Sequence, residues 1–314
     1  MVAMAGDIRR EFRCTESWIR KFLRTNMNWS YRASTNAAQK LPVDWEEEAM
    51  DMLFRSAILI QEEDIHESQC GNLDQTQMNL IMGGDKTWNE KGASQVSVVG
   101  KEEKRAVTIL VGVTMDGTAL PFQVIFKGKT TASCPSPNSP CYDESIELGF
   151  KYEPSKTDTY WSNQETMLKY YREILVPHFL ERKKFHGLPA DARAIDFRDV
   201  WSVHRSDELI TALEAEFPWL HTIFVPGGLT GKMQPCDVGI QRPLKLDLKR
   251  SCLADMVDET RQYLKSGIDS KNIVLDKTIG TLRDRIPAWL ISAHKRINDP
   301  ALIRKVRLVQ IQLQ

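Results

Sequence analysis

The sequence predicts an α/β fold, a mixed sheet flanked by helices, on three observations. Residues 70–126 show the two-residue alternation and the Val, Ile and Thr content of strands. Asp116-Gly117 is a strong two-residue hairpin turn between two of them. From about residue 160 to 267 helical and strand-like periods alternate, the pattern that lays helices on the faces of a sheet.

The elements follow in order. Thr15 is a candidate N-cap for a short helix with Trp18, Ile19, Phe22 and Leu23 on one face and Arg20, Lys21 and Arg24 on the other. Residues 28–42 read as polar and broken, ending at Pro42. Asp44 is expected to cap a second helix. Glu46, Glu47 and Glu48 lie in its first turn, where the helix dipole favours them, and Ala49, Leu53, Ala57 and Ile60 form its apolar stripe. Strands are expected at 72–81, 95–99, 106–115 and 120–126, giving an antiparallel meander. Residues 127–154, Pro-rich around Cys134 and Cys141, read as a loop.

Ser162 or Asn163 then caps a helix carrying Leu168, Tyr171, Leu175 and Phe179, with a kink at Pro177. Strands at 192–199 and 221–225 flank a helix opened by Ser206. A Gly-rich loop, 226–235, leads into a long helix from about 237 to 267, and the remainder is helical and basic. These elements divide into 1–43, 44–69 (an acidic helical linker), a core at 70–267 and a helical extension at 268–314.

Composition narrows the function classes. The chain has 314 residues, with 42 Lys and Arg against 42 Asp and Glu, so it is long enough to bury about three-quarters of its unfolded surface. The longest apolar run, 106–115, is well short of the roughly 20 residues a membrane span needs. Its start has no apolar secretory region. Six scattered cysteines make no disulfide framework and favour an intracellular, reducing compartment. Zero net charge conceals an asymmetry. Residues 1–42 carry eight basic and three acidic side chains, whereas residues 43–75 carry ten acids and only Arg55. The front end is therefore a candidate for polyanion contact.

Three aspartates stand where distant segments can converge: Asp74 within a strand, Asp199 at a strand end, and Asp237 at the start of the long helix. Spacing alone leaves them equally readable as caps and turn acids. Three ionised carboxylates brought together repel one another, and a hard divalent cation with oxygen ligands removes that penalty. Two such ions about 3.5–4 Å apart could clamp the attacking and leaving oxygens of a phosphodiester displacement.

Three ordered segments, Asn72-Leu-Asp74-Gln-Thr-Gln77, Asp199-Val-Trp-Ser-Val-His204 and Phe224 to Ile240 with its Gln-Pro-Cys-Asp237-Val-Gly core, resemble the pogo/Tigger-type DDE superfamily endonucleases, most closely their fungal versions. The 38-residue step from Asp199 to Asp237 fits that family, and the resemblance covers about residues 10–300. It implies an RNase H-like core, a five-stranded mixed sheet whose first three strands are antiparallel. It also implies a transposase-like endonuclease of the nucleus that binds DNA and cleaves and joins it with two Mg²⁺ or Mn²⁺ ions. Asp74, Asp199 and Asp237 are the implied ligands, with no organic cofactor and no membrane partner. Residues 10–42 resemble the last part of the helix-turn-helix shared with centromere protein B, so more of that motif is expected upstream. Phosphate contacts would come from Arg20, Lys21, Arg24 and Arg32. Paired-end cutting would call for a homo-oligomer. The alternative is a domesticated DNA- or chromatin-binding protein of centromere protein B type whose catalysis has decayed.

The second acid has a rival. Asp196 lies three residues before Asp199, and in a regular strand only one of the two can face the site; the link to the Trp-Ser-Val-His segment favours Asp199. His204 could touch substrate or hydrogen-bond within its turn. Trp88, Trp161 and Trp201 could stack on bases or pack in the core. Gly227 to Lys232 lacks the residues of a phosphate-binding loop, and Cys134 and Cys141 lack partners at zinc spacing.

Overall fold

Thr15 accepts the Trp18 N–H, and helix α1 (Glu16–Thr25) follows as the cap predicts. The computed structural model describes residues 15–33, 41–80, 86–93, 105–269 and 272–311. The chain divides into two units, residues 1–39 with 83–102, and residues 40–82 with 103–314. In the first unit, α1 is followed by strand β1 (Trp29–Ala33), paired antiparallel with β3 (Lys86–Glu90). A broken polar segment was the expectation for residues 29–33. Tyr31 and Trp88, directly opposite one another with rings 5.6 Å apart, form the cross-strand aromatic pair that makes a ladder favourable there. The strand expected at 95–99 lies outside the described residues.

The second unit opens with α2 (Trp45–Glu62). Asp44 makes no side-chain capping bond, because its backbone (φ −98°, ψ 20°) lacks the extended geometry of an N-cap. The face of α2 that is fully buried holds Ala49, Met52 and Ser56, one residue round from the expected Leu53 and Ala57. Strand β2 (Cys70–Asn79) pairs antiparallel with β4 (Ala106–Thr114), and β4 antiparallel with β5 (Gln123–Phe126). Gly117, at φ +99°, sits in the turn between β4 and β5, where the Asp116 carboxylate accepts from Thr114 and Thr118.

The sheet has six strands rather than five. Residues 127–154, expected as a loop, contain a short helix α3 (Tyr142–Glu147) and strand β6 (Lys151–Pro154), which pairs parallel with β5 at the sheet edge. Four residues with two charges and a terminal proline suit an edge and leave almost no strand signal. Helix α4 (Gln164–Tyr170) starts at Asn163 with a reciprocal capping box to Thr166. Its continuation α5 (Val176–His186) begins after a π-helical turn at Tyr171–Leu175, with Pro177 in its first turn.

Strand β7 (Ala194–Asp199) pairs parallel with β2, and β8 (Leu220–Val225) parallel with β7. Helix α6 (Asp207–Glu216), capped by Ser206, connects them. The order is β6-β5-β4-β2-β7-β8. Without β6 it is the RNase H-like arrangement, an antiparallel meander followed by two parallel strands.

A short helix α7 (Thr230–Met233) and a π-helical turn (Cys236–Ile240) lead into α8 (Gln241–Lys265), followed by α9 (Ile279–Ile297) and α10 (Pro300–Ile311). One face of the sheet, with Ile109, Val111 and Phe122, packs on Leu244 and Leu248 of α8 and on Leu282, Ile286 and Trp289 of α9. The C-terminal helices thus close the core. The other face sets Leu73, Leu110 and Leu120 against Tyr170, Leu175 and Phe179. Among the described residues no helix is long and apolar enough to cross a membrane.

Candidate active site

The alternation of β2 sends Asn72, Asp74 and Thr76 to the sheet face that α8 covers, and Leu73 and Gln75 to the opposite face. Asn72 pairs in parallel register with Phe197 on β7. Asp199, the last residue of β7, lies two residues beyond that pair and close enough for its charge to raise the Asp74 carboxyl. Asp237 comes to the same place from the π-helical turn ahead of α8.

One side chain fastens these three segments. The Asn72 Oδ1 accepts the Cys236 N–H at 2.9 Å, and its Nδ2 donates to the Phe197 carbonyl at 3.0 Å. Gln234 adds a bond from its Nε2 to the Leu73 carbonyl at 3.3 Å. The turn bearing Asp237 is therefore pinned to β2 on both sides of Pro235.

Asp74 is 8% exposed. Burial pushes its carboxyl well above the ordinary carboxylate range, and the nearby Asp237 and Asp199 push it further. The Asp237 side chain lies close enough to act on Asp74 both through its charge and through side-chain contact. The buried Cys236 thiol is raised well above its usual value, by burial first and then by Asp74 and Asp237.

Asp199 is engaged differently. Its Oδ1 lies 2.5 Å from His204 Nδ1, and His204 Nε2 lies 3.3 Å from Gln75 Nε2. The Gln75 amide nitrogen can only donate, so the His204 Nε2 accepts from it and the ring Nδ1 faces Asp199 as the donor. Trp201 packs edge-on against the imidazole at 5.3 Å.

Asp196 points the other way. It is fully buried, accepts a hydrogen bond from the Tyr171 hydroxyl, and lies 3.4 Å from Arg198 Nε. Arg198 in turn donates to Thr222 Oγ1 at 2.6 Å. Burial raises the Asp196 carboxyl, with Arg198 and Tyr171 opposing. Arg198, unusual in a buried strand, is thus held by an internal pair on the face away from Asp199.

Gln241 is the site residue that sequence reasoning missed. Its Nε2 donates to Asp74 Oδ2 across 167 positions of chain. The only local signal is its place four residues after Asp237.

Among the described residues, no three His, Cys, Asp or Glu side chains enclose a cation-sized space as they stand, and Asp199 is turned to His204. The donor set nevertheless fits a hard divalent ion. Carboxylates that raise the buried Asp74 by their charge are the neighbours such an ion would neutralise.

The four basic residues singled out in the sequence lie in the first unit. Arg20 pairs with Glu16 at 2.5 Å, the Arg24 guanidinium sits 5.7 Å from the Trp88 ring, and Arg32 Nη1 donates to the Ala93 carbonyl at 2.6 Å. Lys21 is exposed.

A family profile described as "DDE superfamily endonuclease" matches residues 103–298, more than half of the chain. The chain belongs to the DDE superfamily endonucleases. Asp199 and Asp237 fall within the DDE match, and Asp74 precedes it. A human "Pogo transposable element with KRAB domain" is 24% identical over 299 residues, covering 93% of this chain and 43% of that protein. Its mouse counterpart is 21% identical over 306 residues, with 96% and 44% covered. The chain thus spans less than half the length of these relatives. Among solved structures, a Mos1 transposase paired-end complex with left transposon end aligns at 11% identity, TM-score 0.38, covering 93% of this chain and 74% of that one. The catalytic domain of Mos1 mariner transposase aligns at 9% identity, TM-score 0.38, with 84% and 98% covered. In this DDE superfamily endonuclease the described cysteines, Cys70, Cys134, Cys141, Cys236 and Cys252, are all free thiols.

Proposed function

We propose that this chain is a pogo-type transposase that cleaves and joins DNA phosphodiester bonds in the nucleus, with Asp74, Asp199 and Asp237 holding two Mg²⁺ or Mn²⁺ ions. What supports this is the convergence on the buried Asp74 of two further acids, Asp237 and Asp199, whose charges raise its carboxyl. A structural ion pair would carry its compensating cation in the protein. Here the donors to Asp74, the Gln241 amide and the Gln75 backbone N–H, are both neutral. Pogo transposable elements as relatives point to the same chemistry.

The ions, when bound, would supply charge neutralisation and polarisation of the phosphate. The protein residues prepare for that. His204, held by Gln75, presents its Nδ1 to one Asp199 oxygen and leaves the other free. Asn72 keeps the Asp237 turn at fixed distance from both strands. Arg20, Lys21, Arg24 and Arg32 supply phosphate contacts that give affinity without reading sequence. Since a mobile element has two ends to cut, the working species is a homo-oligomer.

The test is nicking of supercoiled plasmid by the purified chain with Mn²⁺ or Mg²⁺. Open-circle and linear products should appear with metal and vanish with chelator, and Asp74→Asn or Asp237→Asn should each abolish them. A plasmid left supercoiled at every protein concentration, or a variant as fast as the parent, would overturn the proposal.

A further inference from the structure

The Gln241 side chain makes three contacts that fix which way its amide faces. Its Oε1 accepts from Thr76 Oγ1 at 3.1 Å and from Lys245 Nζ at 3.1 Å, while its Nε2 donates to Asp74 Oδ2. The reversed amide would set its oxygen against the Asp74 carboxylate and its NH₂ against the Lys245 ammonium and the Thr76 hydroxyl. The Thr76 hydroxyl could serve either orientation, but the contacts with the carboxylate and the ammonium would both be unfavourable, and they set the amide's direction. Thr76 lies on the same face of β2 as Asp74, and Lys245 lies one turn along α8 from Gln241. The clamp therefore joins the strand that carries Asp74 to the helix that follows the Asp237 turn.

We propose that Gln241 is a positioning residue for Asp74. It holds Oδ2 by an N–H bond and so directs Oδ1 to the divalent cation. Thr76 and Lys245 hold Gln241 in that role by occupying its oxygen. An amide suits this task because it donates to the carboxylate without adding charge beside the cation. A lysine in its place would compete with the cation, and an aliphatic side chain would leave a half-buried carboxylate free to rotate. The inference rests on the metal-binding function proposed above, but it concerns a residue outside the carboxylate triad.

The experiment is Mn²⁺ titration of the full 314-residue chain without DNA, reading unbound Mn²⁺ by electron paramagnetic resonance. Melting by circular dichroism establishes that each variant is folded. Gln241→Leu, which keeps the volume and removes the donor, should weaken Mn²⁺ binding by about 10–100-fold, the usual effect of removing an outer-shell partner. Thr76→Val and Lys245→Met, which free the amide without touching Asp74, should each weaken it by less than Gln241→Leu. A folded Gln241→Leu variant losing less than about 10-fold would overturn the positioning role while leaving the metal site intact. A parent chain that binds no Mn²⁺ would remove the metal-dependent function and the positioning role together. Asp74→Asn, which should abolish tight binding, separates the two cases.

Discussion

Asn72→Ala is the substitution with the widest consequence for the site. The residue is 4% exposed, so no solvent replaces what it gives up. Two hydrogen bonds disappear, one from the Cys236 N–H and one to the Phe197 carbonyl. The Cys236 N–H opens a π-helical turn and loses its partner outright, at about 1–3 kcal/mol for an unsatisfied buried donor. The carbonyl keeps a second lone pair and contributes nearer to 1 kcal/mol. Together the loss is about 2–4 kcal/mol, or a fall in Tm of roughly 5–15 °C for a unit of this size. Urea and thermal unfolding followed by tryptophan fluorescence measure it. Because the same bonds hold the Asp237 turn against β2, Mn²⁺ affinity should fall as well. A variant that unfolds within about 0.5 kcal/mol of the parent would refute the idea that this side chain ties the three segments together.

Three other outcomes can be checked. The Asp74 carboxyl is raised in the folded chain, so its contribution to stability is present below the unfolded carboxylate pKa and is lost as pH rises through the folded value. Asp74→Asn should therefore gain stability relative to the parent as pH increases towards 7 without metal, and a constant difference across pH would contradict the buried acid pair. Gly112→Ala would place a Cβ 2.5 Å from Tyr170 Oη, 2.7 Å from a Leu120 methyl and 2.9 Å from a Leu73 methyl, so it should destabilise by about 1–3 kcal/mol in the same unfolding assay. DNA affinity, measured by fluorescence anisotropy, should fall steeply with salt, and Arg20→Ala with Lys21→Ala should flatten the log–log slope by about 2, with an unchanged slope arguing against phosphate contact there.

Features set by near neighbours were legible in the sequence. Thr15, Asn163 and Ser206 are caps because the hydrogen bonds they make lie within three residues. Asp116-Gly117 turns for the same reason. Tertiary context decided the rest. Asp44 has the composition of a cap, but the local backbone denies it the geometry. Residues 151–154 are a strand only because β5 offers an unpaired edge. The three acids could be nominated from their positions at strand and helix ends, whereas the partners that hold them could not. Asn72 meets Cys236 across 164 positions, and Gln241 meets Asp74 across 167. Nothing local marks an asparagine or a glutamine for such a contact.

Neighbouring strands in any sheet stand about 4.8 Å apart, a spacing that backbone hydrogen bonding sets and side chains scarcely alter. With Asp74 on β2 and Asp199 at the end of the neighbouring β7, that interval bears on the spacing of two of the acids. Because the backbone sets this gap, most of the surrounding side chains could change without recalibrating it. What drift would have to guard is the pairing offset: a slip of one position between these strands would put one acid on the wrong side of the sheet.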